Sequence, residues 1–200
     1  SAARLAFESR LEAAGDEGPL EAFLEVSARC NLRCVMCAIN VDRRYRPTSG
    51  RPTILEPTLF DTLRPLFPTL VRAYLFGLGE PLLNPHLEAY AGALGTAGAE
   101  VWFNTNGTLI DDGVAEGLAR AGVAAVTVSM DGATAETYEA IRRGASFSAV
   151  LRGLRALVAA RDLHGRPEVD LSFVAMASNL AELPDLVTLC AREGIPSIHV

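Results

Sequence analysis

Short β-branched or aromatic runs alternate along this chain with longer amphipathic stretches, and no other feature of the sequence limits the fold as much. The runs are AFLEVS (Ala22 to Ser27), AYLF (Ala73 to Phe76), EVWFN (Glu100 to Asn104), AAVTVS (Ala124 to Ser129), EVDLSFVA (Glu168 to Ala175) and SIHV (Ser197 to Val200). We read them as six strands. Between them, apolar residues at helical spacing mark Thr53 to Leu66, His86 to Leu94, Asp111 to Ala121, Phe147 to Ala160 and Leu183 to Arg192. Gly122 and Gly194 follow two of these segments, where a left-handed cap costs glycine little. Strands joined through helices run parallel, because the crossover brings the chain back to the same edge. The expected class is therefore α/β, with a parallel sheet that is either doubly wound or curved into a barrel. In both, the loops after the strand C-terminal ends carry the chemistry.

Composition narrows the partners. A chain of 200 residues, 50% of them hydrophobic, can bury one core. A formal charge of −6 argues against nucleic acid, whose recognition needs basic patches. All 18 basic residues are arginine, which removes Schiff-base chemistry and the phosphate-loop lysine. No apolar run approaches the roughly 18 residues of a membrane span. The opening SAARLAFESRLEAAGDEG has no apolar signal core, so no membrane role and a cytoplasmic address are expected.

Polar, glycine-rich segments recur after the expected strands: SARCNLRCVMC, GLGEPLLNP, TNGTLID, MDGATAETYEAIRRGASF and MASNLAELPD. In the first of them Cys30, Cys34 and Cys37 follow the spacing CxxxCxxC. Three thiols on one loop can face a compact metal centre. Structural zinc takes four closed ligands, and His86, His164 and His199 lie far off in sequence without ligand spacing. An iron-sulfur cube also takes four thiolates as a rule, so three would leave one iron open to a non-protein ligand. Taken alone, the trio also reads as an incomplete zinc knuckle or as inert thiols, and GLGEP as a simple turn.

CxxxCxxC after the first strand of a βα repeat resembles the radical S-adenosylmethionine (radical SAM) superfamily, and in motif pattern its SPASM-containing branch. Gly77, Gly79 and Glu80 stand where that family has a Gly-Gly-Glu-type turn that receives the methionine amine of SAM. The TNG of Thr105 to Gly107, with Asn104 and Asn106, is similar to the family's third-strand motif. Ser129 and Arg142 resemble the pair that holds the SAM carboxylate, and Asn179 matches at the fifth strand. Met36 stands where an aromatic residue is often found near the adenine.

The resemblance implies a partial (β/α)6 parallel barrel of TIM-like type over residues 21–200, truncated at the sixth strand, after an N-terminal extension of residues 1–20. It implies a 4Fe-4S cluster on Cys30, Cys34 and Cys37, with SAM on its open iron. Reductive cleavage of SAM would give a 5′-deoxyadenosyl radical that takes hydrogen from a peptide, sugar or natural-product substrate. An electron donor such as flavodoxin or ferredoxin is the implied partner. No residue is singled out as catalytic.

Other readings stand beside this one. Two are a non-enzymatic iron-sulfur or zinc protein, and a truncated SAM-binding core without turnover. Gly77 and Gly79 would let the backbone approach a ligand closely, and Asn179 could instead cap the helix that follows it. Asp131-Gly132 reads as a turn, and Cys190 as a core residue on a helix face. The long loop Ala38 to Pro52 holds Arg43, Arg44, Arg46 and Arg51, which could receive an anionic group of substrate.

Overall fold

The computed structural model of the chain describes residues 9, 19–48, 50 and 52–200. Most of the expected N-terminal extension of residues 1–20, and Arg51, lie outside the described residues.

Six strands form one sheet in the order β1 to β6, with every neighbouring pair parallel. They are β1 (Glu21–Phe23), β2 (Arg72–Tyr74), β3 (Glu100–Thr105), β4 (Ala125–Ser129), β5 (Glu168–Ser172) and β6 (Ile198–His199). The order never reverses. Right-handed crossovers in such a sheet place the connecting helices on one face and leave the other face free, as in a barrel rather than a doubly wound sheet. Among the described residues β1 pairs only with β2 and β6 only with β5, so the sheet they form is open between its edges.

Strand alternation separates the two faces. Val101, Phe103, Val126, Val128, Val169 and Leu171 are buried against the helices. The opposite face carries Arg72, Tyr74, Trp102, Asn104, Thr127, Ser129, Asp170 and Ser172, which follows from the period of two along each strand. On it Phe23 stacks on Tyr74 with ring centroids 4.3 Å apart, and the Arg72 guanidinium lies 4.6 Å from the Trp102 ring.

Among the described residues the helices are α1 (Ala38–Val41), α2 (Pro57–Asp61), α3 (Leu87–Thr96), α4 (Asp112–Arg120), α5 (Ala135–Ile141), α6 (Phe147–His164) and α7 (Leu183–Arg192). Gly122 and Gly194 adopt φ of 81° and 71°, as expected of left-handed caps. Cys190 is buried in the core on α7, and burial pushes its thiol up to about 11. Among the described residues no helix is long and apolar enough to cross a membrane.

Two expectations are corrected. The first strand ends at Phe23 rather than Ser27, because the chain beyond it leaves the parallel ladder and pairs with the segment after the Cys loop. Ser27 bridges Ile54 in the antiparallel sense, Ala28 N–H donates to Thr53 O at 2.8 Å, and Leu55 N–H donates to Val26 O at 3.0 Å. That pairing also removes Thr53 and Ile54 from the helix expected over Thr53 to Leu66. Only α2 forms there, with Pro57 in its first turn, followed by a 3-10 segment, Arg64–Thr69, that contains Pro65 and Pro68. α5 was not foreseen; it starts where Thr134 accepts from Thr137 N–H.

α6 packs closely on the loop after β3. A Cβ on Gly153 would lie 2.9 Å from Gly107 O and 3.0 Å from Ile110 Cβ, whereas one on Gly92 in α3 would meet nothing within 4 Å. Helix propensity alone favours alanine over glycine by about 1 kcal/mol at both positions. Gly92→Ala is therefore expected to stabilise by about 0.5–1 kcal/mol, and Gly153→Ala to destabilise, in denaturant unfolding. Equal effects at the two sites would show that α6 has room to move.

Candidate metal and cofactor site

Past Ser27 the Cys loop runs extended beside the loop after α5. Arg33 N–H donates to Arg143 O and Val35 N–H to Ile141 O, both at 2.9 Å. This pairing buries Leu32 and Cys34 and exposes Asn31, Arg33 and Val35. A turn at Val35 and Met36 then brings Cys37 to the N-cap of α1, with Met36 half-buried.

All three loop thiols are free. Leu32 N–H lies 3.4 Å from Cys30 Sγ, and Asn106 Nδ2 donates to the same sulfur at 3.8 Å. Arg142 Nη1 donates to Cys34 Sγ at 3.9 Å. Burial raises the pKa of Cys30 and of Cys34; Arg142 opposes it at Cys34, and Leu32 and Asn106 oppose it at Cys30. N–H donors aimed at sulfur are what a metal-bound thiolate needs from its surroundings, so the donor set fits an iron-sulfur centre. Among the described residues no three His, Cys, Asp or Glu side chains are grouped to hold a single metal ion. A cube makes a different demand, because each thiolate has its own iron.

The loop after β2 is fastened to the Cys loop through glycine. A Cβ on Gly79 would lie 2.1 Å from Ser27 O and 2.6 Å from Arg29 O; one on Gly77 would lie 2.4 Å from Glu25 Oε1. The chain's own first loop thus lies against the Cβ side of both glycines. Leu78 N–H donates to Glu25 Oε1 at 2.7 Å, and Glu80 N–H to Arg29 O at 2.7 Å.

Glu80 itself is buried. Its carboxylate accepts from Thr105 Oγ1 at 2.7 Å, Asn106 N–H at 2.7 Å and Leu82 N–H at 3.2 Å. Burial pushes its pKa above the ordinary glutamate value, against the pull of those three donors. Asn106 carries the link onward: Nδ2 donates to Asn31 Oδ1 at 2.8 Å, and Oδ1 accepts from Thr108 N–H at 2.9 Å.

The fourth and fifth loops meet at Asp131, which is fully buried. Its Oδ2 lies 2.7 Å from Arg142 Nε in an ion pair, and its Oδ1 accepts from Val174 N–H at 2.8 Å. Asn179, also fully buried, donates to Asp131 O and Val174 O, both at 3.0 Å, and accepts from Met176 N–H. Its side chain therefore ties two loops together and does not cap the helical segment that follows.

Glu182 accepts from Ala133 N–H, Thr134 N–H and the Thr134 and Thr137 hydroxyls. Burial alone would raise its pKa, but these donors, Thr137 first, hold it below the ordinary value. Arg142 is buried while Arg143 is exposed, which separates the two arginines that motif position alone distinguished. Ser129 accepts from Ser172 Oγ at 3.3 Å, and Asn104, on the open face, makes no side-chain hydrogen bond among the described residues.

Sequence reasoning missed Asp131 and Glu182. Asp131-Gly132 reads locally as a turn, although a carboxylate following the buried run AVTVSM is a signal for a buried partner. Glu182 carries no signal, since it acts across 48 residues on Thr134 N–H.

The sequence profile described as the Radical SAM superfamily matches residues 24–164. The mycofactocin maturase MftC of Mycobacterium tuberculosis is 32% identical over 186 residues, which cover 90% of this chain and 44% of that one. The GTP 3′,8-cyclase of Corynebacterium glutamicum (strain R) is 34% identical over 184 residues, covering 86% and 46%. SuiB of Streptococcus suis, in its complex with S-adenosylmethionine, shares the fold with a TM-score of 0.73 at 16% identity, over 95% of this chain and 42% of that one. The chain belongs to the radical SAM superfamily, whose members use a 4Fe-4S cluster and SAM. It spans about half the length of the curated relatives it matches.

Glu80→Gln replaces one acceptor oxygen by a donor among groups that already donate. The expected loss is about 1–3 kcal/mol of stability in denaturant unfolding. Glu182 predicts a pH effect of definite sign. Its lowered folded pKa contributes stability that is fully present above the ordinary value near about 4.3 and is lost as pH falls through the folded pKa. The melting-temperature gap between the wild type and Glu182→Gln should accordingly shrink between neutral pH and about pH 3, and a gap constant across that range would refute the assignment.

Proposed function

We propose that this chain is the catalytic core of a radical SAM enzyme, with Cys30, Cys34 and Cys37 as the cluster ligands. The observation that carries the reading is the set of N–H donors directed at the Cys30 and Cys34 sulfurs from the Cys loop itself, from the loop after β3 and from the end of α5. A 4Fe-4S cluster bound there supplies one-electron chemistry, the reductive cleavage of SAM to a radical that abstracts hydrogen.

The chain's own residues divide into two groups on this reading. Asn104, Ser129, Met36, the Gly77 to Gly79 backbone and Arg142 are the groups that would meet SAM. Glu80, Asn106 and Asn179 act through those neighbours: they hold the loops that present the ligands, and their polar atoms are already taken up. Arg142 serves the cluster side as well, since Nε is fixed on Asp131 and Nη1 on Cys34 Sγ. The buried Leu32 and Cys34 beside α5 keep water from the rear of the loop.

For substrate we propose a peptide. The relative MftC is a maturase, and SuiB has also been solved with its precursor peptide SuiA. GTP 3′,8-cyclase carries a similar core, so the core by itself does not select the substrate class. The SPASM-containing branch is the part of the superfamily its motifs fit. Four unpaired cysteines suit a reducing cytoplasm, where a flavodoxin- or ferredoxin-type donor would act.

The test is anaerobic cluster reconstitution on the intact protein, followed by SAM and dithionite, with 5′-deoxyadenosine as the readout. The nucleoside should form, and Cys34→Ala should reduce it to background. A cluster that assembles without yielding nucleoside would leave only a binding role. Preferential zinc uptake would end the reading.

A further inference from the structure

A groove of about 1000 Å³ lies beside the Cys loop, lined by Arg33, Cys34, Asn40, Arg46, Arg143 and Gly144 among others, and no acidic residue lines it among the described residues. Arg33 and Arg143 stand side by side because the main chain of one donates to the main chain of the other. Both are exposed, and neither side chain makes an ion pair or hydrogen bond among the described residues. Arg46 is turned toward the same groove by bonds to Ile39 O and Asn40 O.

The charge here runs against that of the molecule. The chain as a whole carries −6, yet between Ser27 and Thr48 it places five arginines and a single acid. That acid, Asp42, is already engaged by Arg44 at 2.6 Å. A cluster of unpaired like charges is a standing repulsion that an anionic partner relieves, and such patches steer association.

Position selects the kind of partner. The groove reaches Cys34, whereas none of the open-face residues Phe23, Asn104 and Ser129 lines it. A substrate that must reach the concave face of the sheet has no reason to fill it, while a donor that must reach the cysteine loop does. The arginine side chains stand in solvent, which suits an acidic protein surface better than a small anion enclosed in a pocket.

We infer that this groove is the docking surface for an acidic one-electron carrier protein of the flavodoxin kind, an inference that rests on the catalytic reading above. In the step served, the carrier is oxidised by one electron and the metal centre on the Cys loop is reduced by one. No bond is made or broken and no proton need move.

The test uses the full chain carrying Arg33→Glu and Arg143→Glu, with Arg120→Glu, at the end of α4 on the opposite rim, as control. Five quantities are measured: the affinity for oxidised flavodoxin at low and high salt, the affinity for an acidic peptide, the rate of cluster reduction by flavodoxin hydroquinone, the rate with dithionite, and the melting temperature. The double variant should bind about tenfold or more weakly at low salt, lose most of its salt dependence and be reduced by flavodoxin correspondingly slowly. Dithionite reduction, the melting temperature and the control variant should stay at wild-type values.

Unchanged carrier affinity and rate in the double variant would overturn the inference. So would lost affinity for an acidic peptide substrate with carrier binding intact, which would assign the groove to substrate. The dithionite arm reports on the metal centre alone, so a wild-type chain that dithionite cannot reduce counts against the catalytic reading, not against the charge of the groove.

Discussion

The rim of this sheet depends on a carboxylate that solvent scarcely reaches. Glu80 is 2% exposed, and the donors around it come from its own turn and from the loop after β3, while its N–H reaches back to the Cys loop. Three loops that share no regular secondary structure are thereby fixed against one another. An apolar side chain of similar size would leave Thr105 and Asn106 with buried, unmatched donors, and that cost, more than any attraction, is what makes the carboxylate hard to replace.

A second node, built on the same logic, holds the other half of the rim. Asp131 gives one oxygen to Arg142 and the other to Val174 N–H, while Asn179 bonds the main chain on both sides. A buried ion pair of this kind is weak evidence for stability, since desolvation offsets much of the attraction. Its consequence is orientation. Arg142 directs Nη1 at Cys34 Sγ while its Nε lies 2.7 Å from Asp131 Oδ2, so the guanidinium beside the sulfur is held from its far side by a residue with no contact to that sulfur.

All six strands and most of the helices were legible in the sequence because periodicity reports which faces are buried, and burial is what these elements share. The Cys trio was legible because the motif is local. What escaped was set by contacts across the chain. β1 stops short because Ile54 competes for Ser27, and the helix expected from Thr53 fails for the same reason, with the prolines that follow. Gly77 and Gly79 stand out in the sequence, but nothing in GLGEP tells of Glu25 and Ser27, some fifty residues earlier, which lie against them. Asp131 reads as a turn from Asp-Gly alone, and only the apolar run ahead of it, AVTVSM, points to a buried anchor.

The strand order has a temporal side. Each strand pairs with the one synthesised just before it, so the sheet can grow in step with the ribosome. The Cys loop leaves first, yet the donor to Cys30 from Asn106 lies 76 residues on, and the donor to Cys34 from Arg142 lies 108 residues on. At about 5–20 residues per second, the thiols wait roughly 5 to 20 s for their surroundings to be made. During that interval they are ordinary cysteines on an unfinished chain, open to any metal or oxidant at hand, and what they finally hold depends in part on what the cell keeps away from them until α5 has closed over the loop.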